Sequence, residues 1–101
     1  MEATIQSINL ISTDPRVRNG RPCIVGTSLE VSVIAIAKIV QGQEPDEIAA
    51  NYELTLAQVY AALAYYYENK QAIDASIDER RQLAQKMKEA QIGSRHTPLF
   101  G

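Results

Sequence analysis

Apolar and polar positions along the chain predict a short β-rich start followed by four helices. Residues Ile8–Ser12 are typical of a strand, and Ser28–Val31 of a second strand that pairs back on the first. Between them Asn19 and Gly20 indicate a turn, because both residues tolerate positive φ angles. Pro22 has no N–H to donate, so any strand there lies at a sheet edge. The N-terminal part is therefore expected to hold a small strand pair.

The first helix is predicted to begin after Ser32, a good N-cap residue, and to end at Gly42. It is apolar on most sides, and a helix of that kind must be covered on more than one face. In a chain of 101 residues a second subunit can supply part of the cover. We therefore expect a homodimer that uses part of the helix face formed by Val33, Ile34, Ile36, Ala37 and Val40.

The next part of the chain predicts a helix-turn-helix. A helix from Pro45 to about Asn51 is followed by a capping box, in which Thr55 caps the next helix and Gln58 reaches back. Glu53 stands where such turns usually have a glycine. The residues expected to make the inner contacts are Ile48, Ala49, Tyr52, Leu54 and Val59. The second of these helices should reach about Asn69, with an apolar stripe made of Leu56, Val59, Tyr60, Leu63, Tyr66 and Tyr67.

The last predicted helix is charged. Ser76–Glu79 forms another capping box that opens it, and the helix is expected to reach about Gln91, with Gly93 as its stop and a loose tail beyond. Its apolar positions form a narrow seam, which is more typical of a docking edge than of a core face. The seam consists of Leu83, Met87 and Ala90.

Charge is distributed unevenly along the chain, whose net charge is −2. Residues 1–43 carry four bases and three acids, residues 44–79 one base and eight acids, and residues 80–101 five bases and one acid, so the segments carry +1, −7 and +4. This pattern fits self-association or a protein partner at least as well as nucleic acid. The expected organisation is a domain over residues 1–75, with the strand pair and the helix-turn-helix, followed by a C-terminal helix and tail over residues 76–101.

Composition excludes several classes of protein. Hydrophobic residues make up 46% of the chain, which is typical of a folded domain. The N-terminus resembles no export signal, and the apolar stretch Val31–Val40 is shorter than the about 20 residues that span a bilayer, so we expect a cytoplasmic protein without a membrane partner. The single cysteine, Cys23, and the single histidine, His96, make neither a metal cluster nor a catalytic pair. We therefore expect no enzyme, no catalytic residue, no metal site and no cofactor.

Candidate contacts to DNA fall in two places. Three arginines surround the Asn19-Gly20 turn, where they would contact phosphate or an acidic partner, and the alternative is a solvated turn. The second helix of the helix-turn-helix would present its first turn to DNA. Against this, its outward face has no Lys or Arg, although phosphate contacts normally supply much of the affinity for DNA. The candidate DNA-binding residues are Arg16, Arg18, Arg21, Thr55 and Gln58.

Two segments, DPRVRNGRPCIVGTSLEVSVI and IVQGQEPDEIAANYELTLAQVYAALAYYYENKQAID, resemble a family of small bacterial proteins long labelled a domain of unknown function. The family pattern is Asp-Pro, then Gly-Arg-Pro-x-Ile-x-Gly-Thr-Arg-Ile, then a helix-turn-helix and a Tyr-rich helix end. The resemblance covers about residues 5–77. Members resemble VapB-like antitoxins and are often encoded beside a PIN-like toxin. The resemblance implies a mainly α fold, with a short β-strand pair followed by a homeodomain-like or winged-helix-like bundle and, in this chain, a C-terminal helix.

The resemblance also implies roles for single residues. The motif residues belong to a structural turn and strand: Gly20, Arg21, Pro22, Gly26 and Thr27. Ser28-Leu29 departs from the Arg-Ile of the family, so a partner contact made by that arginine would be absent here. In antitoxins a C-terminal extension typically binds the toxin, which makes the basic last helix the candidate. Its candidate partner-binding residues are Arg80, Arg81, Leu83 and Met87.

Two functions from different classes follow. The first is an antitoxin-like regulatory protein that occludes a toxin with its C-terminal segment and binds operator DNA as a dimer. The alternative is a protein-interaction module that does not bind DNA and uses the helix-turn-helix as a scaffold.

Overall fold

The structure is a computed structural model that describes residues 2–95, with side chains described up to residue 91. It is mainly helical, with a short two-stranded sheet near the N-terminus, as predicted. The chain divides into two compact units, Met1–Asn69 and Lys70–Gly101, and each is described by itself. The tail predicted to be loose lies outside the described residues from position 96 onward.

The sheet is smaller than predicted, and its second strand lies elsewhere. Strand β1, Ile11–Ser12, pairs antiparallel with β2, Cys23–Ile24. The strand predicted at Ser28–Val31 is wrong, because the helix begins at Val31. An isolated bridge between Cys23 and Glu30 is what the structure has there instead. The chain before α1 pairs with β2 at this one residue only, which is too short to form a strand.

Helix α1, Val31–Ile39, has Glu30 as its N-cap, so the predicted cap at Ser32 is wrong. Glu30 is the last residue with extended backbone angles (φ −74°, ψ 146°), and Ser32 already lies inside the helix. The expected dimer face is partly used within the chain, since Ile34 and Ala37 are 0% and 1% exposed. At the far end of α1, Val40 remains 64% exposed.

Helices α2, Pro45–Tyr52, and α3, Leu56–Glu68, form the predicted helix-turn-helix with a turn of three residues. The N-cap of α3 is Thr55, as predicted: its hydroxyl accepts from the backbone of Gln58, and its own backbone N–H donates to the side chain of Gln58. In the turn Glu53 has φ 56°, the left-handed conformation that favours glycine. A second capping box, not predicted, joins Glu44 and Glu47 at the start of α2.

The core of the first unit forms where α1 packs against α2 and α3. Its largest fully buried side chains are Ile24, Ile34, Ile48, Val31 and Val59. The stripe predicted for α3 is partly wrong, because Leu56, Tyr60 and Tyr67 are 49%, 56% and 58% exposed. Successive residues of a helix point about 100° apart. The residues of α3 that are buried therefore lie on a different side of the helix from these three. The buried residues are Val59, Ala62, Leu63 and Tyr66.

Helix α4 runs without interruption from Lys70 to Arg95. The predicted start at Ser76 and stop at Gly93 are therefore wrong. Asn69 ends α3, and the residues that follow it are good helix formers, so the new helix begins at once and passes through both positions. Lys70 pairs with Asp74 at 2.7 Å, one turn along the helix. Among the described residues, none of the helices combines the length and apolar character needed to cross a membrane.

Candidate interaction surfaces

The three arginines predicted to contact DNA lie around one turn, and each has an internal partner. Arg21 Nε donates to Glu30 Oε1 at 2.8 Å, and Arg21 Nη2 donates to Glu30 Oε2 at 3.3 Å. Arg18 Nε donates to the carbonyl oxygen of Ser28 at 3.1 Å. Arg16 forms a two-pronged pair with Asp14, at 3.1 Å for each side-chain bond. The guanidinium groups of all three arginines therefore make hydrogen bonds within the protein.

Burial separates Arg21 from the other two arginines. Its side chain is 29% exposed and that of Glu30 is 9% exposed, and Ser32 Oγ donates a further hydrogen bond of 3.2 Å to Glu30. The hydrogen bond with Glu30 raises the pKa of Arg21 above its usual value. Arg21 is thus part of the link between the turn and α1. Arg16, with 88% of its side chain exposed, and Arg18 remain on the surface.

The backbone of the same segment explains its glycines and its threonine. Asn19 and Gly20 have φ 56° and 81°, as the turn prediction requires. Gly26 has φ 78°, a conformation that L side chains rarely adopt. Thr27 Oγ1 donates to the carbonyl of Ile24 at 2.8 Å and accepts from the backbone N–H of Leu29 at 3.0 Å. These residues therefore close a tight turn between β2 and α1.

Two further features of this turn bear on its chemistry. Asp14 has a pKa below its usual value, because the Arg16 side chain donates hydrogen bonds to it. Burial raises the pKa of the Cys23 thiol, which favours the neutral form, and Cys23 Sγ donates to the carbonyl of Arg21 at 3.4 Å. A thiol of this kind is a poor nucleophile. His96, its only candidate base in the sequence, lies outside the described residues.

A cavity of about 360 Å³ opens beside the turn. Its lining has the Asp14 carboxylate and no arginine, so the cavity does not suit an anion. Among residues 2–95, no group of His, Cys, Asp and Glu side chains could hold a metal ion. The lining consists of Ser12, Asp14, Val17, Cys23, Gly26, Thr27 and Ser28.

The first turn of α3, predicted to contact DNA, is occupied by its own cap. Gln58 Oε1 accepts from the backbone N–H of Thr55 at 2.8 Å, and Thr55 Oγ1 accepts from Gln58 N at 3.1 Å. The cap therefore ties both side chains to the backbone of this first turn. The outward face beyond this turn has no cationic side chain in the sequence.

Instead, the outward side of α3 carries an apolar surface, and the sequence pattern assigns three of its four residues to the core. We call this surface the α3 stripe, and it consists of Leu56, Tyr60, Ala64 and Tyr67. All four residues are exposed, and spacings of three, four and seven residues place them on one side of the helix. The ring of Tyr67 lies edge-on to the buried Tyr66 ring, with 5.2 Å between their centroids. This contact restricts the orientation of Tyr67.

Beside the α3 stripe lies a groove of about 320 Å³. The N-terminal segment forms one wall, where Ile8 is 79% exposed, and α3 forms the other. The groove is mostly apolar, with one carboxylate. Its lining consists of Ile8, Ile11, Ala61, Ala64, Tyr65 and Glu68.

Helix α4 carries the second exposed apolar surface, at the positions that the sequence predicts. We call it the α4 seam: Leu83 and Met87, which are 57% and 58% exposed, and Ala90. Every residue of the range 81–91 is exposed. Arg80, a predicted partner-binding residue, is half-buried, and its Nε donates to the carbonyl of Ser76 at 3.3 Å. Arg81 is exposed, and helical spacing places it on the side of α4 away from the seam.

Comparison with known proteins identifies a family but no characterised relative. No curated protein and no solved structure matches the chain significantly. The family described as protein of unknown function (DUF433) matches residues 11–66, which is more than half of the chain. The match contains β1, β2, α1, α2 and most of α3, and it ends before α4. The chain belongs to the DUF433 family.

Proposed function

We propose that this protein is a regulatory protein that acts by binding another protein through α4, with the helix-turn-helix as its scaffold. The observation that carries the proposal is the exposure of the entire 81–91 range of α4, including Leu83 and Met87. Isolated helices are marginally stable in water, and most helices depend on packing of an apolar face. The α4 seam is the face that a partner would cover.

The charge of this part of the chain indicates the chemistry of the partner. Residues 80–101 carry five bases and one acid. Helical spacing places Arg80, which is half-buried, and Lys86, which is exposed, on either side of the seam. An amphipathic helix of this kind fits an apolar groove with an acidic rim. The cations would speed association and orient the helix, whereas Leu83 and Met87 would supply most of the affinity.

The resemblance to VapB-like antitoxins makes a PIN-like toxin the first partner to test. An antitoxin-like protein occludes its toxin with a C-terminal segment, and α4 is such a segment. The family match ends at residue 66, so α4 is outside the part shared with the family. We propose that the toxin is recognised by this part of the chain.

The α2–α3 pair supports a scaffold better than a DNA reader. Its outward side is apolar at the α3 stripe, and Thr55 and Gln58 are used in the cap. Residues 44–79 carry a charge of −7 from one base and eight acids, which opposes approach to phosphate. The helix-turn-helix therefore serves to present other surfaces.

The test is to measure, by titration calorimetry, binding between the full chain and a PIN-like protein of the kind that the resemblance predicts beside its gene. Leu83→Gln with Met87→Gln removes the seam without changing charge. Burial of each side chain contributes about 1.5–3 kcal/mol, so we expect Kd to rise at least about tenfold. The matched control is Gln82→Ala with Gln85→Ala, both outside the seam, which should bind like the wild type. Equal binding by both double variants would contradict the proposal.

Operator binding is the second candidate, because Arg16 and Arg18 remain exposed at the turn. If DNA is bound, these two arginines should make the phosphate contacts. Affinity for promoter DNA falls with salt, and replacing both arginines by alanine should reduce the log–log slope by about 0.9 for each phosphate contact that is removed. An unchanged slope would exclude the turn as the DNA site. If the wild-type protein does not bind promoter DNA, operator binding is excluded and the helix-turn-helix has only the scaffold role.

A further inference from the structure

The α3 stripe is self-complementary when two copies of α3 lie antiparallel. In one register Tyr60 of the first copy lies level with the small Ala64 of the second copy. In the same register Leu56 of the first copy lies within one residue of the level of Tyr67 of the second copy. Two-fold symmetry repeats both contacts with the copies exchanged. Each large side chain of the stripe thus meets another stripe residue. Along the Ala64 edge of the stripe, Ala57 is exposed and Ala61 is half-buried, and their small size lets two helices approach closely.

In this register the groove beside the α3 stripe lies opposite the Tyr60 side chain of the second copy. Ala64 belongs to both surfaces, since it lines the groove with Ala61 and Ile8. Tyr60 of the second copy, level with Ala64, therefore lies at the mouth of a mostly apolar space of about 320 Å³. Tyr60 is now 56% exposed as a residue, and the groove would cover part of its ring.

Charge complementarity favours the antiparallel orientation. Glu68, the last residue of α3, is exposed at the negative end of its own helix dipole. The same register places Glu68 level with Leu56, the first residue of α3 in the second copy, where the positive end of that helix dipole lies. A parallel arrangement would instead bring the two Glu68 carboxylates together.

The area of the stripe sets the strength of such a dimer. From the exposed fractions of Leu56, Tyr60 and Tyr67, these side chains expose roughly 300 Å² per copy in total. A stable interface buries about 800 Å² per partner. The alanines, Glu68 and Ile8 enlarge the stripe but leave it below that area, so the expected dimer is weak and depends on concentration.

We propose that the α3 stripe is the interface of an antiparallel, two-fold homodimer formed by a second copy of this chain. The dimer occupies the face of the helix-turn-helix that would otherwise enter a DNA groove. The α4 seam has no part in this interface. The inference is independent of the proposed function, because the dimer is measured on the chain alone and needs no toxin.

The first test is sedimentation equilibrium of the full chain over a range of micromolar concentrations. Leu56→Gln should raise the dimer Kd at least about tenfold, whereas the same substitution at Leu83, similarly exposed but on α4, should leave it unchanged. Ala64→Glu should abolish the dimer, and circular dichroism should show that each variant is folded. A wild-type monomer at all concentrations, or equal effects of the two leucine substitutions, would overturn the proposal.

Cysteine cross-linking tests the orientation. Under mild oxidation Tyr60→Cys should cross-link when mixed with Ala64→Cys, and Leu56→Cys should cross-link only when mixed with Tyr67→Cys. The wild type is the control, because its own Cys23 is buried at 3% exposure. Self-cross-linking of Leu56→Cys would show a parallel pair and contradict the antiparallel register.

Discussion

Replacement of Arg21 by methionine tests whether the arginine of the turn is structural or free for ligands. Methionine keeps the apolar stem of the side chain and removes the guanidinium group. Glu30, 7% exposed as a residue, then keeps only part of its hydrogen bonding, including that from Ser32. The turn loses its two bonds of 2.8 and 3.3 Å across to the start of α1.

The magnitude follows from the burial of the pair. Breaking a fully buried ion pair costs about 3–5 kcal/mol, because one charge is left without compensation. Arg21 is 29% exposed at its side chain, so water reaches the site and a lower value of about 2–3 kcal/mol applies to the free energy of unfolding. For a domain of this size a loss of that order lowers Tm by roughly 8–20 °C.

Urea unfolding followed by circular dichroism measures this loss, with Arg16→Met as the matched control in the same turn. The Arg16 pair with Asp14 is exposed, so that control should not change the midpoint measurably. A double-mutant cycle with Glu30→Gln should give a coupling of about 1–2 kcal/mol. A destabilisation by Arg21→Met below about 0.5 kcal/mol, or additive effects in the cycle, would refute a structural role for the pair.

The left-handed turn residue, the α3 cap and the buried thiol give three more expected outcomes. Glu53→Gly should stabilise the protein by about 0.5–1 kcal/mol in urea unfolding, because the left-handed conformation at φ 56° favours glycine. Thr55→Ala should destabilise it by about 1 kcal/mol in the same assay through loss of the α3 cap. Burial raises the pKa of Cys23 in the folded protein. Below the unfolded pKa of about 8.5 the thiol is neutral in both states, so its contribution to stability should not change with pH. Above that pH the thiol of the unfolded chain ionises first, so the protein should become less stable as pH rises. Thiol labelling at mildly alkaline pH should accordingly be slow in the folded protein and fast after unfolding; fast labelling of the folded protein would contradict the burial.

Elements defined by local chemistry can be predicted from the sequence. Thr55 and Gln58 predict the start of α3 because they are three residues apart and satisfy each other without help from the rest of the fold. Glu53 stands out as an unusual turn residue for the same local reason, and its positive φ agrees with the position of a missing glycine. Asn19 and Gly20 likewise have the positive φ angles that their turn signal predicts.

Features that depend on distant contacts cannot be predicted in this way. The position of β2 depends on pairing with Ile11, far back along the chain, and Ser76 does not begin a helix because α4 has already formed from Lys70. Apolar character alone does not tell which side of α3 the core covers, so it assigns Tyr60 and Tyr67 to the core, where they do not lie. The hydrogen-bond partners of Arg16, Arg18 and Arg21 likewise depend on the conformation of the folded turn. That conformation cannot be read from the order of the residues.

The most direct test of the protein-binding role is hydrogen exchange of the full chain, alone and with its toxin-like partner. In the chain alone, backbone amides in residues 81–91 should exchange quickly, since every side chain of that range is exposed. Binding should slow exchange in that range and leave the Arg16–Arg21 turn unchanged. Protection of the turn or of α2, with none in residues 81–91, would contradict the account.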